Sequence, residues 1–156
     1  MSSPRLEPVT PDNVLDACGL SVAPHQRTFV APVAQSLAEA YVQPDNAWPR
    51  LVYDGDRLVG FLMAFFDVDF KLRGEGDVRD GLWRLNIAEG EQGKGYGRFA
   101  VQAVCDELRR RGKTRVTVTY HPAENGGPEN FYRGLGFRPT GEPAGEHEHV
   151  AELDLV

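Results

Sequence analysis

The residues Gln92-Gly93-Lys94-Gly95-Tyr96-Gly97 stand between an apolar run, Leu82 to Ala88, and an amphipathic run, Tyr96 to Arg111. Glycine admits backbone angles closed to other residues and lets N–H groups approach an anion closely. A helix beginning at Tyr96 adds the positive end of its dipole. Lys94, and Arg98 one turn on, add charge. This combination suits a pyrophosphate. Two familiar nucleotide loops do not fit. A Walker A loop needs Ser or Thr after Gly-Lys, and Gly95 follows Lys94. The dinucleotide fingerprint read from Gly93 needs a glycine where Arg98 stands.

The elements that must position this loop can be read from spacing. Leu6 to Val9 predicts a short strand, and Thr10-Pro11 a helix start, with Val14, Leu15 and Cys18 turned inward as far as Leu20. Val33, Leu37, Ala40 and Tyr41 recur at helical spacing between Pro32 and Pro44. Pro49 to Tyr53 and Arg57 to Phe66 predict two strands around the turn Asp54-Gly55-Asp56. The second is apolar nearly throughout, as a central strand covered on both faces would be. Asp67 to Gly81 is charged and contains glycine, which predicts a mobile loop before the strand Leu82 to Ala88. Ala100, Ala103, Val104 and Leu108 form the apolar stripe of the long helix, and Gly112 suits its end. Arg115 to Tyr120 alternates as a strand. Pro128 to Leu135 reads as a short helix stopped by Gly136, and Phe137 to Gly141 and Val150 to Val156 as closing strands. The order is α/β, with a mixed sheet and one parallel crossover around the long helix.

A second segment joins the first. Asn125-Gly126-Gly127-Pro128-Glu129-Asn130-Phe131-Tyr132-Arg133-Gly134-Leu135-Gly136-Phe137 follows the strand after the long helix. The two segments together resemble the GNAT superfamily of acyl-CoA-dependent N-acetyltransferases. Its loop pattern, Gln or Arg, then glycines three and five residues on, is met by Gln92, Gly95 and Gly97. Its later motif is met by Asn125, Phe131, Tyr132, Gly136 and Phe137. The resemblance is specific over residues 82–137. It implies a mixed, mostly antiparallel sheet flanked by helices, in a single domain over residues 1–156. The earlier half, from Phe29-Val30-Ala31-Pro32 to Tyr41, with Trp48-Pro49 and Leu82-Trp83-Arg84-Leu85, is similar to the bacterial spermine/spermidine branch. Asn86 and Ala88 depart from the apolar and acidic residues expected there.

What the resemblance implies is direct attack of an amine on the thioester of acetyl-CoA. The loop, Gln92, Gly93, Lys94, Gly95, Tyr96, Gly97 and Arg98, would hold the pyrophosphate. The backbone of Leu85, Asn86 and Ile87 would pair with the pantetheine arm, with an N–H near Ile87 facing the thioester oxygen. Asn125 would hydrogen-bond the pantetheine, and Phe131 would pack beside it. Tyr132 matches the family's acid toward the leaving thiolate, a reasonable match because a phenol of pKa ~10 can protonate a thiolate of pKa ~8–9. Glu39, Asp67, Asp69 and Trp83 are the acceptor-side residues. Glu39, Asp67, Asp69 and His121 all stand as candidates for removing the amine proton, directly or through water. Late strands in relatives pair or swap between subunits, so a homodimer is an expectation.

Composition narrows the partners. The 156 residues carry 23 acidic and 17 basic side chains, for a net charge of −6. That disfavours binding to a phosphate backbone and agrees with a cationic small acceptor, which Glu39, Asp67, Asp69, Glu75 and Asp77 could gather at a negative mouth. No apolar run is long enough to span a membrane, and the first ten residues lack a secretion signal. Cys18 and Cys105 fit no ligand spacing, and a reducing cytoplasm is the simplest setting. His147-Glu148-His149 puts two imidazoles on one face of a strand but has no third ligand nearby, so no metal is expected. Alternative readings are acetylation of another small amine, an antibiotic or a peptide N-terminus, and a non-catalytic acyl-CoA-binding module.

Overall fold

The computed structural model describes residues 3–27, 30–123, 127–145 and 147–155. Seven strands form one sheet, ordered β1-β2-β3-β4-β5-β7-β6. They are β1 (Pro4–Glu7), β2 (Ala47–Asp54), β3 (Arg57–Asp69), β4 (Val78–Ile87), β5 (Arg115–Tyr120), β6 (Arg138–Ala144) and β7 (Glu148–Asp154). The helices are α1 (Val14–Cys18), α2 (Val33–Val42), α3 (Tyr96–Arg110) and α4 (Gly127–Gly134), with a 3-10 turn at Pro24–Gln26. All strand pairs are antiparallel except β4 with β5. The α/β class and the single parallel crossover are as the sequence implies.

β3 explains the central position expected of it: every residue from Val59 to Phe66 is buried. Its side chains alternate between two cores. Leu62, Ala64 and Phe66 face α3, together with Ala100, Val104 and Leu108. Phe61 and Met63 face α1 and α2, together with Ala17 and Val33. α3 ends with Gly112 at φ 77°, where the Gly112 N–H donates to Arg109 and the Lys113 N–H to Leu108. That is the pairing of a left-handed helix stop.

Two expectations are corrected. Helix α1 starts only at Val14 and buries Ala17, while Leu15 is 82% exposed and Cys18 is also exposed. The Asn13 side chain accepts the Thr10 N–H at 2.8 Å, so residues 10–13 form a turn instead of a first helical turn. The segment from Asp67 to Gly81 is strand at both ends: β3 runs to Asp69 and β4 begins at Val78, so the connection is only residues 70–77. Its connection is pinned by its own carboxylates. Asp69 accepts the N–H groups of Lys71 and Gly76, and Asp77 those of Leu72 and Arg73. Arg79, only 6% exposed, binds Asp77 at 2.9 Å and Glu142 on β6 at 3.1 Å.

Candidate active site

β4 and β5 pair only at Gly81↔Thr117 and Leu82↔Val118. Beyond that point the strands part, and a cavity of about 800 Å³ opens between them. Gly81 makes the join possible, because a Cβ there would overlap the Thr117 carbonyl. β4 also carries a bulge: Met63 faces Arg84 and Ala64 faces Leu82, leaving Trp83 unpaired. A bulge turns side chains that would otherwise alternate. Trp83 therefore joins Arg84 on the α2 face and stacks on Phe65 at 4.7 Å.

The glycine loop closes one end of this cavity. Gly93 and Gly95 have φ of 74° and 89°, conformations that cost other L-residues about 1–2 kcal/mol. Gly97 serves a different need, since a Cβ there would stand 3.1 Å from the Phe131 ring. No side chain caps α3, so its first N–H groups remain available to an anion. Arg98 lines the cavity beside them, and Arg27 and His25 are also in its lining. The Gln92 side chain donates to the Ile87 carbonyl at 2.9 Å and exchanges bonds with Gln26, fixing the loop to the end of β4.

Several expected residues have other partners. Lys94 is not in the lining and pairs with Glu91 at 2.7 Å, and Glu91 is also held by Arg57 at 3.1 Å. Tyr96 contributes its backbone, because its hydroxyl turns to Asp54 and Arg57 on the β2–β3 hairpin. Leu85 and Ile87 line the cavity, but the Asn86 side chain points away and donates to the Ala31 carbonyl at 3.0 Å. Asn125 lies outside the described residues.

Tyr132, on α4, lines the cavity and is buried. Burial, and then neighbouring Tyr120, push its pKa up, so its phenol stays protonated across the working range. Among the described residues its hydroxyl has no hydrogen-bond partner. Tyr120, which the sequence places only as a residue of the strand Arg115 to Tyr120, also lines the cavity. It ends β5 with its ring 5.6 Å from that of Tyr132, and its hydroxyl donates to Glu129 at 2.8 Å. Burial first, then this bond and the Glu129 charge, raise its pKa, while the same bond lowers that of Glu129.

A second cavity of about 320 Å³ lies against the α2 face and shares Trp83, Arg84, Thr119 and Glu148 with the first. Glu39 and Asp69 line it. Glu39 is bound by Arg84 at 3.0 Å, and Asp69 by the loop amides described above. Asp67 is in neither cavity: it pairs with Lys113 at 2.6 Å, beyond the opposite end of α3 from the glycine loop. Asp77 is likewise held by Arg79, so of the five carboxylates expected at a negative mouth three are in ion pairs, Asp69 is held by loop amides, and only Glu39 and Asp69 line this cavity. His121 lines only the first cavity. Among the described residues no cluster of three or more His, Cys, Asp or Glu could hold a metal.

The family model of the acetyltransferase (GNAT) family matches residues 16–137. The chain belongs to this family. An acetyltransferase from Thermus thermophilus is similar over 98% of this chain and 97% of its own, with TM-score 0.73 and 23% identity. A GNAT acetyltransferase from Elizabethkingia anophelis, solved with acetyl-CoA bound, is similar over 97% and 98%, with TM-score 0.64 and 15% identity. The PaiA N-acetyltransferase of Thermoplasma acidophilum, solved with coenzyme A, is similar over 97% and 99%, with TM-score 0.65 and 12% identity. Among curated proteins no sequence matches. This acetyltransferase therefore uses acetyl-CoA as its acyl donor, and the first cavity has the features that donor requires: a glycine cradle, uncapped helix amides and an unpaired strand edge.

No helix among the described residues is long and apolar enough to cross a membrane.

Proposed function

We propose that this N-acetyltransferase acetylates a primary amine of a small polycation, of which spermidine and spermine are the type. The observation that carries the reading is the charge of the second cavity: Glu39, Asp69 and Glu148 stand against the single guanidinium of Arg84. Such a surplus favours a ligand with several ammonium groups. Its volume of about 320 Å³ suits a small molecule. Residues 1–156 act as one acyl-CoA-dependent domain, consistent with seven strands in one sheet.

Acetyl-CoA supplies the acyl group and a thiolate leaving group. The amides opening α3, with Arg98, hold its pyrophosphate. The free edge of β4 at Leu85–Ile87 pairs with the pantetheine arm, and an N–H of that edge polarises the thioester carbonyl. Oxyanion donors of this kind contribute about 3–4 kcal/mol in other acyl transfers. Phe131, packed on Gly97, forms the apolar wall. The acceptor enters as an ammonium and loses one proton to solvent. Its nitrogen then bonds to the carbonyl carbon and sheds a second proton as the carbon–sulfur bond breaks, Tyr132 protonates the thiolate, and the phenol regains its proton from solvent.

The test is thiol release from acetyl-CoA with spermine, spermidine, putrescine, aminoglycosides, amino acids and short peptides, with wild type beside Tyr132→Phe. Turnover confined to polyamines, with kcat lowered about 100-fold or more in the variant, is the expected result. Turnover with another amine class discards the polyamine acceptor and keeps the acid. Acetyl-CoA binding without any turnover moves the reading to a non-catalytic acyl-CoA module.

A further inference from the structure

The two cavities meet, and transfer between a thioester in one and an amine in the other has to take place where they do. Four residues line both: Trp83, Arg84, Thr119 and Glu148. Trp83 is committed to its stack on Phe65, and Arg84 to Glu39. Glu148 alone among them carries a carboxylate. The other acidic residues of the two cavities are occupied. Glu39 is bound twice by Arg84, Asp69 caps two loop amides, and Glu91 is held by Lys94 and Arg57. Half-buried Glu148 has no hydrogen bond or ion pair among the described residues.

The local backbone explains how it is aimed. β7 alternates, so His149 turns toward Glu129 of α4 at 3.8 Å, while Glu148 faces the cavities with buried Val150 behind it. The turn before it contains Gly145 and His147, both at positive φ (50° and 65°). A Cβ on Gly145 would stand 3.2 Å from the Glu148 carboxylate, so the glycine leaves that carboxylate its space. His147 stands in this turn, outside β7, so it and His149 are not two same-face positions of one strand.

We propose that Glu148 receives the attacking amine at the junction of the two cavities and takes up its proton. This rests on the amine-acetylation reading above. The Glu148 carboxylate accepts a hydrogen bond from the nitrogen of the neutral amine. As the nitrogen–carbon bond forms and the carbon–sulfur bond breaks, the proton shed by nitrogen passes to Glu148, and the thiolate takes the proton of Tyr132. One proton has moved from nitrogen to sulfur in net terms. Glu148 and Tyr132 return to their starting states by exchange with solvent. Glu39 and Asp69, farther into the second cavity, face the remaining ammonium groups.

The experiment compares wild type, Glu148→Gln and Glu148→Asp on whichever amine of the panel the wild type acetylates best, with acetyl-CoA affinity measured by calorimetry on each protein. Expected is a kcat/KM for the amine about 100-fold lower in Glu148→Gln, carried mainly by kcat, with acetyl-CoA affinity within about twofold of wild type. Glu148→Asp, which keeps the charge one methylene short, recovers part of the loss. Should Glu148→Gln fail to fold, Glu148→Asp alone decides: a drop of about tenfold or more supports the role, and wild-type kinetics overturn it. Glu148→Gln within threefold of wild type, with acetyl-CoA still bound, overturns the role of Glu148 and leaves amine acetylation standing. A wild type that binds acetyl-CoA yet acetylates no amine overturns both.

Discussion

The cavity proposed for acetyl-CoA is shaped mainly by backbone, whereas the proposed acceptor cavity is shaped by side chains from separate elements. On the donor side the working parts are the amides that open α3, two glycines at positive φ and the edge of β4. On the acceptor side they are Glu39 from α2, Arg84 from the β4 bulge, Asp69 from the end of β3 and Glu148 from β7. Backbone sites demand glycine at fixed spacing, so they leave a local mark in a sequence. A site assembled from four distant segments leaves none. The contrast also has a chemical consequence: side chains can be exchanged to suit another amine without disturbing the donor.

Gly81 joins the two regions, and changing it is the strongest way to break the comparison. Gly81→Ala drives a methyl group into the Thr117 carbonyl and forces β4 and β5 apart below both cavities. The expected result is a melting temperature lower by about 10 °C or more, or no folded protein, read by calorimetry. A fully stable variant would show that the join is looser than its geometry.

Gly95→Ala separates the regions. Its φ of 89° strains any side chain by about 1–2 kcal/mol, which the loop relieves by leaving the shape that presents its amides. Acetyl-CoA affinity is expected to fall about 5- to 30-fold, with the amine KM little changed. Equal effects on both substrates would argue against two independently built cavities.

Acid acts outside both cavities, on the ion pairs that pin the connection between β3 and β4. Burial works against the charge of Glu142, but hydrogen bonds from Arg79, Thr140 and Arg73 outweigh it and hold its pKa down to about 2. Its folded pKa lies below its unfolded value of about 4.5, so the stabilisation is present above that value and fades as pH falls toward 2. Stability measured from pH 7 downward is therefore expected to decline below about pH 4.5, and Glu142→Gln to flatten that decline. This change centres on the loop between β3 and β4.

The same distinction explains what could be read in advance. α3 and β5 were legible because their apolar periods are long or regular, and the glycine loop because each glycine has a steric or torsional reason. The stretch from Asp67 to Gly81 was not, because its order comes from Arg79 meeting Glu142, 63 residues away. The face of α1 was misread because five residues set too short a period, and Ala17, not Leu15, carries the contact. Tyr120 looked like one more strand aromatic until α4 brought Glu129 to it. Glu148 gave no signal beyond a His-flanked acid, since its meaning depends on which way the last strand turns it.

The two register pairs between β4 and β5 have a thermodynamic consequence. Past them, the sheet continues on either side of a gap that only a bound molecule can bridge. A ligand that adds its own hydrogen bonds to the Leu85–Ile87 edge binds the folded chain and has nothing comparable to bind in the unfolded one. At a hundredfold excess over its dissociation constant, such a ligand stabilises the fold by about 2.7 kcal/mol. Acyl-CoA bound at that edge is therefore expected to raise the enzyme's resistance to heat and proteolysis.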